Sequence, residues 1–306
     1  MTTVDPRPAS LLLPPDKEPP RSADHPAGPG RPSWDPFTIA GVAFGLVVVL
    51  VGGFVGYLAT VSDLQQARAQ RVLYREISET LHDDTGPLGG NIKEGTPVAL
   101  LEIPDIDVKQ VVVEGTTAAQ LRNGPGHLRN TALPGQYGNS VLMGKAWTYG
   151  GPFGRLDRLK RGQNIRVTTQ QGEFTYVVRD HKDVGNGHDD VIAPGGAHQL
   201  TLVTADSRLR PGGRTVVVAD LQGPFQLAES GRTTKVRADE RGTGGEAGAG
   251  MALFLWAQAL LVVVAATAWA LRRYDRRVTL LLGAPVALAV VWALYDTAAR
   301  MLPATL

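Results

Sequence analysis

An all-β domain, either a closed barrel or a sandwich, carried by three membrane-spanning helices is the architecture this sequence predicts. Three observations carry it. Three apolar runs are long enough to cross a bilayer, the middle of the chain breaks into short β-branched runs separated by turns, and Gly- and Pro-rich stretches separate these parts. The 306 residues include 36 Gly and 21 Pro, and the net charge is only +2, without a Lys/Arg block or a basic stripe interleaved with aromatics. Nucleic acid is therefore not an expected partner. There is no cysteine, which excludes disulfides, thiolate metal sites and thiol catalysis.

Residues 1–36 are dominated by Pro, Asp, Arg and Gly with no apolar periodicity, and read as a disordered tail. The first span, 37–61, carries no charge until its end and begins too far into the chain for a signal peptide. Gly41, Gly45, Gly52 and Gly56 fall on roughly one face of it, a candidate packing seam for a homodimer or for the other spans. The second and third spans are 251–271 and 278–298. The basic loop 272–277 between them holds four arginines, which places it in the cytoplasm. The N-terminus is then also inside, the barrel region outside, and 299–306 forms a short outer tail. Membrane lipid is an obligatory neighbour, and the expected location is the plasma membrane.

Between the spans, 62–96 reads as a stalk helix followed by a Gly-rich linker. Strands are expected at Val98–Ile106, Val108–Glu114, Ser140–Lys145, Asn164–Gln170, Glu173–Val184, Leu200–Ala205 and Arg214–Leu221. Short helices are expected at Thr117–Arg122 and Phe153–Lys160. Residues 224–250 read as a flexible tether back to the membrane.

Residues 97–223 resemble bacterial sortases, in particular actinobacterial, class E-like ones. The matching pieces occur in order: Leu101-Glu102-Ile103-Pro104, Val113-Glu114-Gly115-Thr116, Gly124-Pro125-Gly126-His127, and Thr131-Ala132-Leu133-Pro134-Gly135-Gln136. Then come Gly138-Asn139-Ser140-Val141-Leu142-Met143-Gly144, Tyr149-Gly150-Gly151-Pro152-Phe153, Leu200-Thr201-Leu202-Val203-Thr204 and Arg214-Thr215-Val216-Val217-Val218. The resemblance implies a closed sortase-like β-barrel of about 7–8 strands, and a Cys, His, Arg site in which a thiolate attacks a sorting-signal threonine carbonyl. Laid on this chain, that site falls on Ala205, Lys145 and Arg214. A methyl group cannot attack a carbonyl, and lysine at its ordinary pKa is a poor replacement for imidazole. Catalytic residues are accordingly not expected, and the resemblance implies a pseudo-sortase.

Other residues do not restore the site. Thr204 alternates to the opposite face of its strand, and Ser207 has no evident base. His127 reads as a non-catalytic loop histidine. His181, His188 and His198 lie in a glycine-rich connection whose spacing fits no metal site, so no metal or other cofactor is expected. Gly144-Lys145 lacks the rest of a phosphate-binding loop. A peptide groove would be lined by Lys145, Ala205, Asp206 and Arg214, with Lys145 paired to Asp206 or reaching solvent.

The chain ends Leu302-Pro303-Ala304-Thr305-Leu306, which resembles the Leu-Pro-x-Thr of sortase substrates. Chance composition accounts for this, and the sharper reading puts the segment in the groove of its own or a neighbouring domain. The expected function is a surface module that binds peptide, scaffolds or regulates cell-wall protein attachment. Its candidate partners are sorting-signal peptides, cell-wall components or an active sortase. The alternatives are an enzyme of altered chemistry using Lys145 and a structural membrane assembly protein.

Overall fold

The computed structural model describes residues 2, 36–185, 198–205, 213–228, 231–242, 244–246 and 248–306. The expected disordered tail, Asp206, Ser207 and His188 thus lie outside the described residues, apart from positions 2 and 36. The chain divides into two compact units, Met1–Val48 and Val49–Leu306, and all contacts given below lie within the second.

Eight strands close a barrel: β1 (Pro97–Ile103), β2 (Val108–Glu114), β3 (Gly126–His127), β4 (Asn139–Met143), β5 (Asn164–Thr169), β6 (Gly172–Val184), β7 (Gln199–Ala205) and β8 (Arg214–Gln222). Their order around the wall is β1-β2-β3-β4-β7-β8-β6-β5, and β5 pairs back to β1. The β-branched runs found in the sequence supply these strands. Their inward residues, among them Leu101, Ile103, Val112, Leu142, Ile165, Val167, Leu202 and Val217, form one dry core.

One strand was not foreseen. β3 is two residues long and pairs parallel to β2 and antiparallel to β4. Its Gly-Pro-Gly approach reads locally as a turn, but a Cβ at Gly126 would stand 2.2 Å from the Gly115 carbonyl oxygen, so the close strand approach requires glycine.

Because β3 is so short, β2 is left with backbone groups at Val111 that no neighbouring strand takes up on that side. Helix α2 (Ser62–His82) fills the gap. The Gln70 side-chain amide accepts from the Val111 N–H (2.7 Å) and donates to the Val111 carbonyl (3.1 Å), while Leu73 and Ile77 pack on Val111 and Val113. The expected stalk is therefore docked on the barrel and caps a strand edge.

Of the two short helices expected, α3 forms at Ala118–Leu121, with Thr117 as its N-cap residue. The other becomes a single 3-10 turn at Leu156–Arg158. Phe153, Leu156 and Leu159 recur every three residues, which suits 3.0 residues per turn better than 3.6, and all three are buried.

Among the described residues, three helices are long and apolar enough to cross a membrane. They are α1 (Pro36–Gly56), extended by a π-helical turn at Tyr57–Val61, α4 (Ala249–Arg273) and α5 (Arg276–Met301). Asp275 caps α5 by accepting from the N–H groups of Arg277 and Val278. Gly53 packs against Tyr295 and Gly283 against Thr267, whereas no described atom lies within 4 Å of a Cβ built at Gly52 or Gly56.

The segment read as a flexible tether is tied down. Gln226 bonds to Gly135 and Tyr137, Arg237 forks onto Glu94 (2.8 and 3.1 Å), and fully buried Glu240 receives Arg129 (2.6 and 3.0 Å). Arg232 reaches Glu114 at 2.7 Å. Glycine-rich composition hid isolated charges whose partners lie on the barrel.

Candidate functional site

Three neighbouring strands end at one rim. β4 and β7 run parallel with Met143 opposite Val203, and β7 and β8 run antiparallel with Ala205 opposite Arg214. Gly144 N–H donates to the Val203 carbonyl (3.0 Å) and Thr204 Oγ1 donates to the Gly144 carbonyl (2.9 Å), which locks the β4 exit against β7. This bond commits the Thr204 hydroxyl to backbone. Lys145, Ala205 and Arg214 are thus gathered at one end of the barrel by register.

Lys145 is 2% exposed, and its Nζ sits 5.4 Å from the centre of the Tyr149 ring. The expectation that it reaches solvent is therefore corrected. Burial, with a smaller contribution from the Arg122 cation, pushes the amine down to about 7, because burial strips hydration from the charged form. Among the described residues no carboxylate lies within ion-pair distance of its Nζ.

Arg214 is also buried, and its Nη2 donates to the Arg241 carbonyl at 2.9 Å. One of its donors is thus spent on the segment that covers the rim.

The rim is filled by the chain itself. The Thr305 carbonyl accepts from Ala146 N–H (3.0 Å) and, more weakly, from Ala205 N–H (3.4 Å). Thr148 Oγ1 donates to the Leu306 carbonyl (2.8 Å). On the other side, Thr305 N–H and Oγ1 both donate to the Gly242 carbonyl (3.3 and 3.0 Å), and Ala304 N–H donates to the Gly244 carbonyl (3.1 Å). Ala304 is completely buried among Leu121, Leu128, Val141, Met143, Val203 and Val216. Gly242 has φ +78, and a Cβ there would meet Thr305 Cγ2 at 2.9 Å, so glycine lets the covering segment lie this close.

A second polar cluster lies away from the rim positions. His127 is fully buried; its Nδ1 lies 2.9 Å from Glu114 Oε2 and its Nε2 lies 2.8 Å from the Ala132 carbonyl. Arg232 Nη2 donates to Glu114 Oε1 and to the Arg129 carbonyl. Burial alone would raise the Glu114 carboxyl, but His127 and Arg232 together hold it below its ordinary value. Sequence placed His127 in a loop; it is a strand residue clamped in an ionic network. His198 stacks on Phe225 (4.3 Å) beside Tyr137. Among the described residues, no three His, Asp or Glu side chains are grouped to hold a metal.

A closed eight-stranded barrel joined to apolar helices, with three strand ends converging at one rim, is the class of protein that this fold and site define. A Sortase domain family model matches residues 101–222. The chain is 32% identical over 157 residues to Sortase D of Bacillus subtilis (strain 168), covering 49% of this chain and 78% of that protein. It is 27% identical over 140 residues to Sortase A of Listeria monocytogenes, covering 45% of this chain and 63% of that protein. Among solved structures, a Clostridium perfringens Sortase D5 transpeptidase aligns with 29% identity and a TM-score of 0.47, covering 51% of this chain and 99% of that one. The chain belongs to the sortase family.

Proposed function

We propose that this chain is a class E-like pseudo-sortase, a non-catalytic peptide-binding, scaffolding or regulatory module in cell-wall protein attachment. The observation that carries this reading is Ala205 at the end of β7, opposite Arg214, in a chain without a single cysteine. No thioester can begin there. Its partners would be sorting-signal peptides, cell-wall components or an active sortase.

The protein would sit in the plasma membrane as a multi-pass anchor, with the N-terminus cytoplasmic and the barrel outside. Two features support this topology. Glu246 N–H bonds to the Arg300 carbonyl, and Tyr57 OH bonds to Asp296, so the end of α1, the start of α4 and the end of α5 all lie towards the barrel. The four arginines of 272–277 then lie at the opposite end, as the positive-inside rule requires.

A second reading is favoured by one observation. An amine with a pKa near 7 is about half deprotonated at neutral pH, so Lys145 has the protonation state an amine nucleophile needs.

One experiment addresses both readings. A fluorescent Leu-Pro-Ala-Thr-Gly peptide is titrated onto the chain lacking Leu302–Leu306, held in nanodiscs, and recovered for mass measurement. Saturable binding that a scrambled peptide does not show, with recovery of intact peptide, is expected. Absence of binding would remove the peptide-binding reading, and an adduct mapped to Lys145 would transfer the assignment to the amine reading.

A further inference from the structure

We propose that Leu302–Leu306 is the resident ligand of the rim groove, held in cis, so that any other Leu-Pro-x-Thr-type segment must exchange with it. This rests on the peptide-groove reading above and adds an occupant to it.

The contacts have the form of ligand recognition rather than of a loose end. Six hydrogen bonds hold 304–306 from two sides: three reach Thr305 and Leu306 from the barrel, and three pass from Ala304 and Thr305 to the Gly242 and Gly244 carbonyls. Those to the barrel come from Ala146, Thr148 and Ala205, immediately beyond the ends of β4 and β7 or on them, where the rim positions converge. The Thr305 carbonyl, not its side chain, is turned towards the Ala205 N–H. Ala304 has no exposed surface and joins the apolar cluster that holds Val141, Met143, Val203 and Val216 of the barrel strands. The sequence read into the groove is Pro-Ala-Thr, in the order the motif requires.

The path that delivers the segment is short and rigid. Helix α5 ends at Met301, Leu302 is its C-cap residue, and Glu246 N–H holds the last helical turn through the Arg300 carbonyl. A ligand tethered in this way acts at an effective concentration on the order of millimolar or more. A free peptide of similar intrinsic affinity therefore competes at a disadvantage on the order of a thousandfold at micromolar concentration. Arg214 contributes by fixing Arg241 beside Gly242, so the covering segment and the ligand are held as one unit.

The test compares the full chain, Ala304→Arg and the five-residue deletion in nanodiscs, with two readouts. Hydrogen exchange at the Ala146 and Ala205 amides reports whether the groove is filled, independently of any added peptide. Fluorescent Leu-Pro-Ala-Thr-Gly peptide reports whether it can be filled in trans. The expected result is strong amide protection in the full chain, lost in both variants, together with at least tenfold tighter peptide binding by the variants. Equal exchange at both amides in all three proteins would overturn the proposal, even if the peptide binds. Protection lost in both variants without any peptide binding would uphold the resident segment and retire the peptide-receptor reading instead.

Discussion

Lys145→Met should stabilise the barrel by a few kcal/mol at pH 6, and the gain should shrink as pH rises towards 10. In the folded chain the amine titrates at about 7 against an ordinary value of 10.5. Between these values the unfolded chain binds a proton that the folded chain lacks, so stability rises with pH across that window. Below it both states are protonated, and the folded state carries the full cost of a buried cation. At about 1.4 kcal/mol per pKa unit the limiting cost approaches about 5 kcal/mol. Methionine keeps most of the volume without the charge, as replacements of buried ions by apolar side chains often do at a gain. Thermal unfolding in nanodiscs from pH 6 to pH 10 checks this. A difference between variant and parent that stays constant with pH would mean that the amine is not desolvated.

The opposite effect is expected at Glu114. Glu114→Ala leaves His127 and Arg232 buried without their carboxylate, and breaking such a pair typically costs about 3–5 kcal/mol. The loss should appear as a large drop in thermal midpoint at pH 7. Arg232→Ala should cost less, since the His127 bond survives, and should expose residues 231–242 to hydrogen exchange because Arg232 is one of their anchors. The double variant should fall well short of the sum of the two, the signature of one shared network. The parent's advantage should also fade in acid. The folded carboxyl titrates below its ordinary value, so its contribution is present above the unfolded pKa and is lost as pH falls through the folded one. Additive losses would show that Glu114, His127 and Arg232 act independently.

What could be read from sequence was whatever is local. Runs such as Val111-Val112-Val113 and Val216-Val217-Val218 announce buried strands, and the three apolar stretches announce spans, because each signal is complete within a few residues. The rim positions were legible through order: Lys145, Ala205 and Arg214 each follow or open a recognisable strand. What escaped depends on distant partners. β3 exists only because Gly126 can approach Gly115. The docking of Arg232, Arg237 and Glu240 rests on single charges whose partners lie 111, 118 and 143 residues away, so composition alone read as a tether. The burial of Lys145, with its amine over the Tyr149 ring, depends on the fold, and residue type gives no hint of it. The Leu302–Leu306 motif was visible as letters, and its place against Ala146 and Ala205 required the fold.

If the chain is the pseudo-sortase proposed above, Ala205 presents only a methyl group at the position where sortase chemistry would start. The most direct measurement incubates the unmodified full chain with a Leu-Pro-x-Thr-Gly peptide and an amine acceptor, and follows acyl adducts on the protein and release of the downstream fragment by mass spectrometry. Loss of a catalytic nucleophile typically costs on the order of a million-fold in turnover. The predicted result is a protein of unchanged mass and fragment release no faster than without it. An acyl adduct that forms and resolves with steady release of fragment would contradict the account.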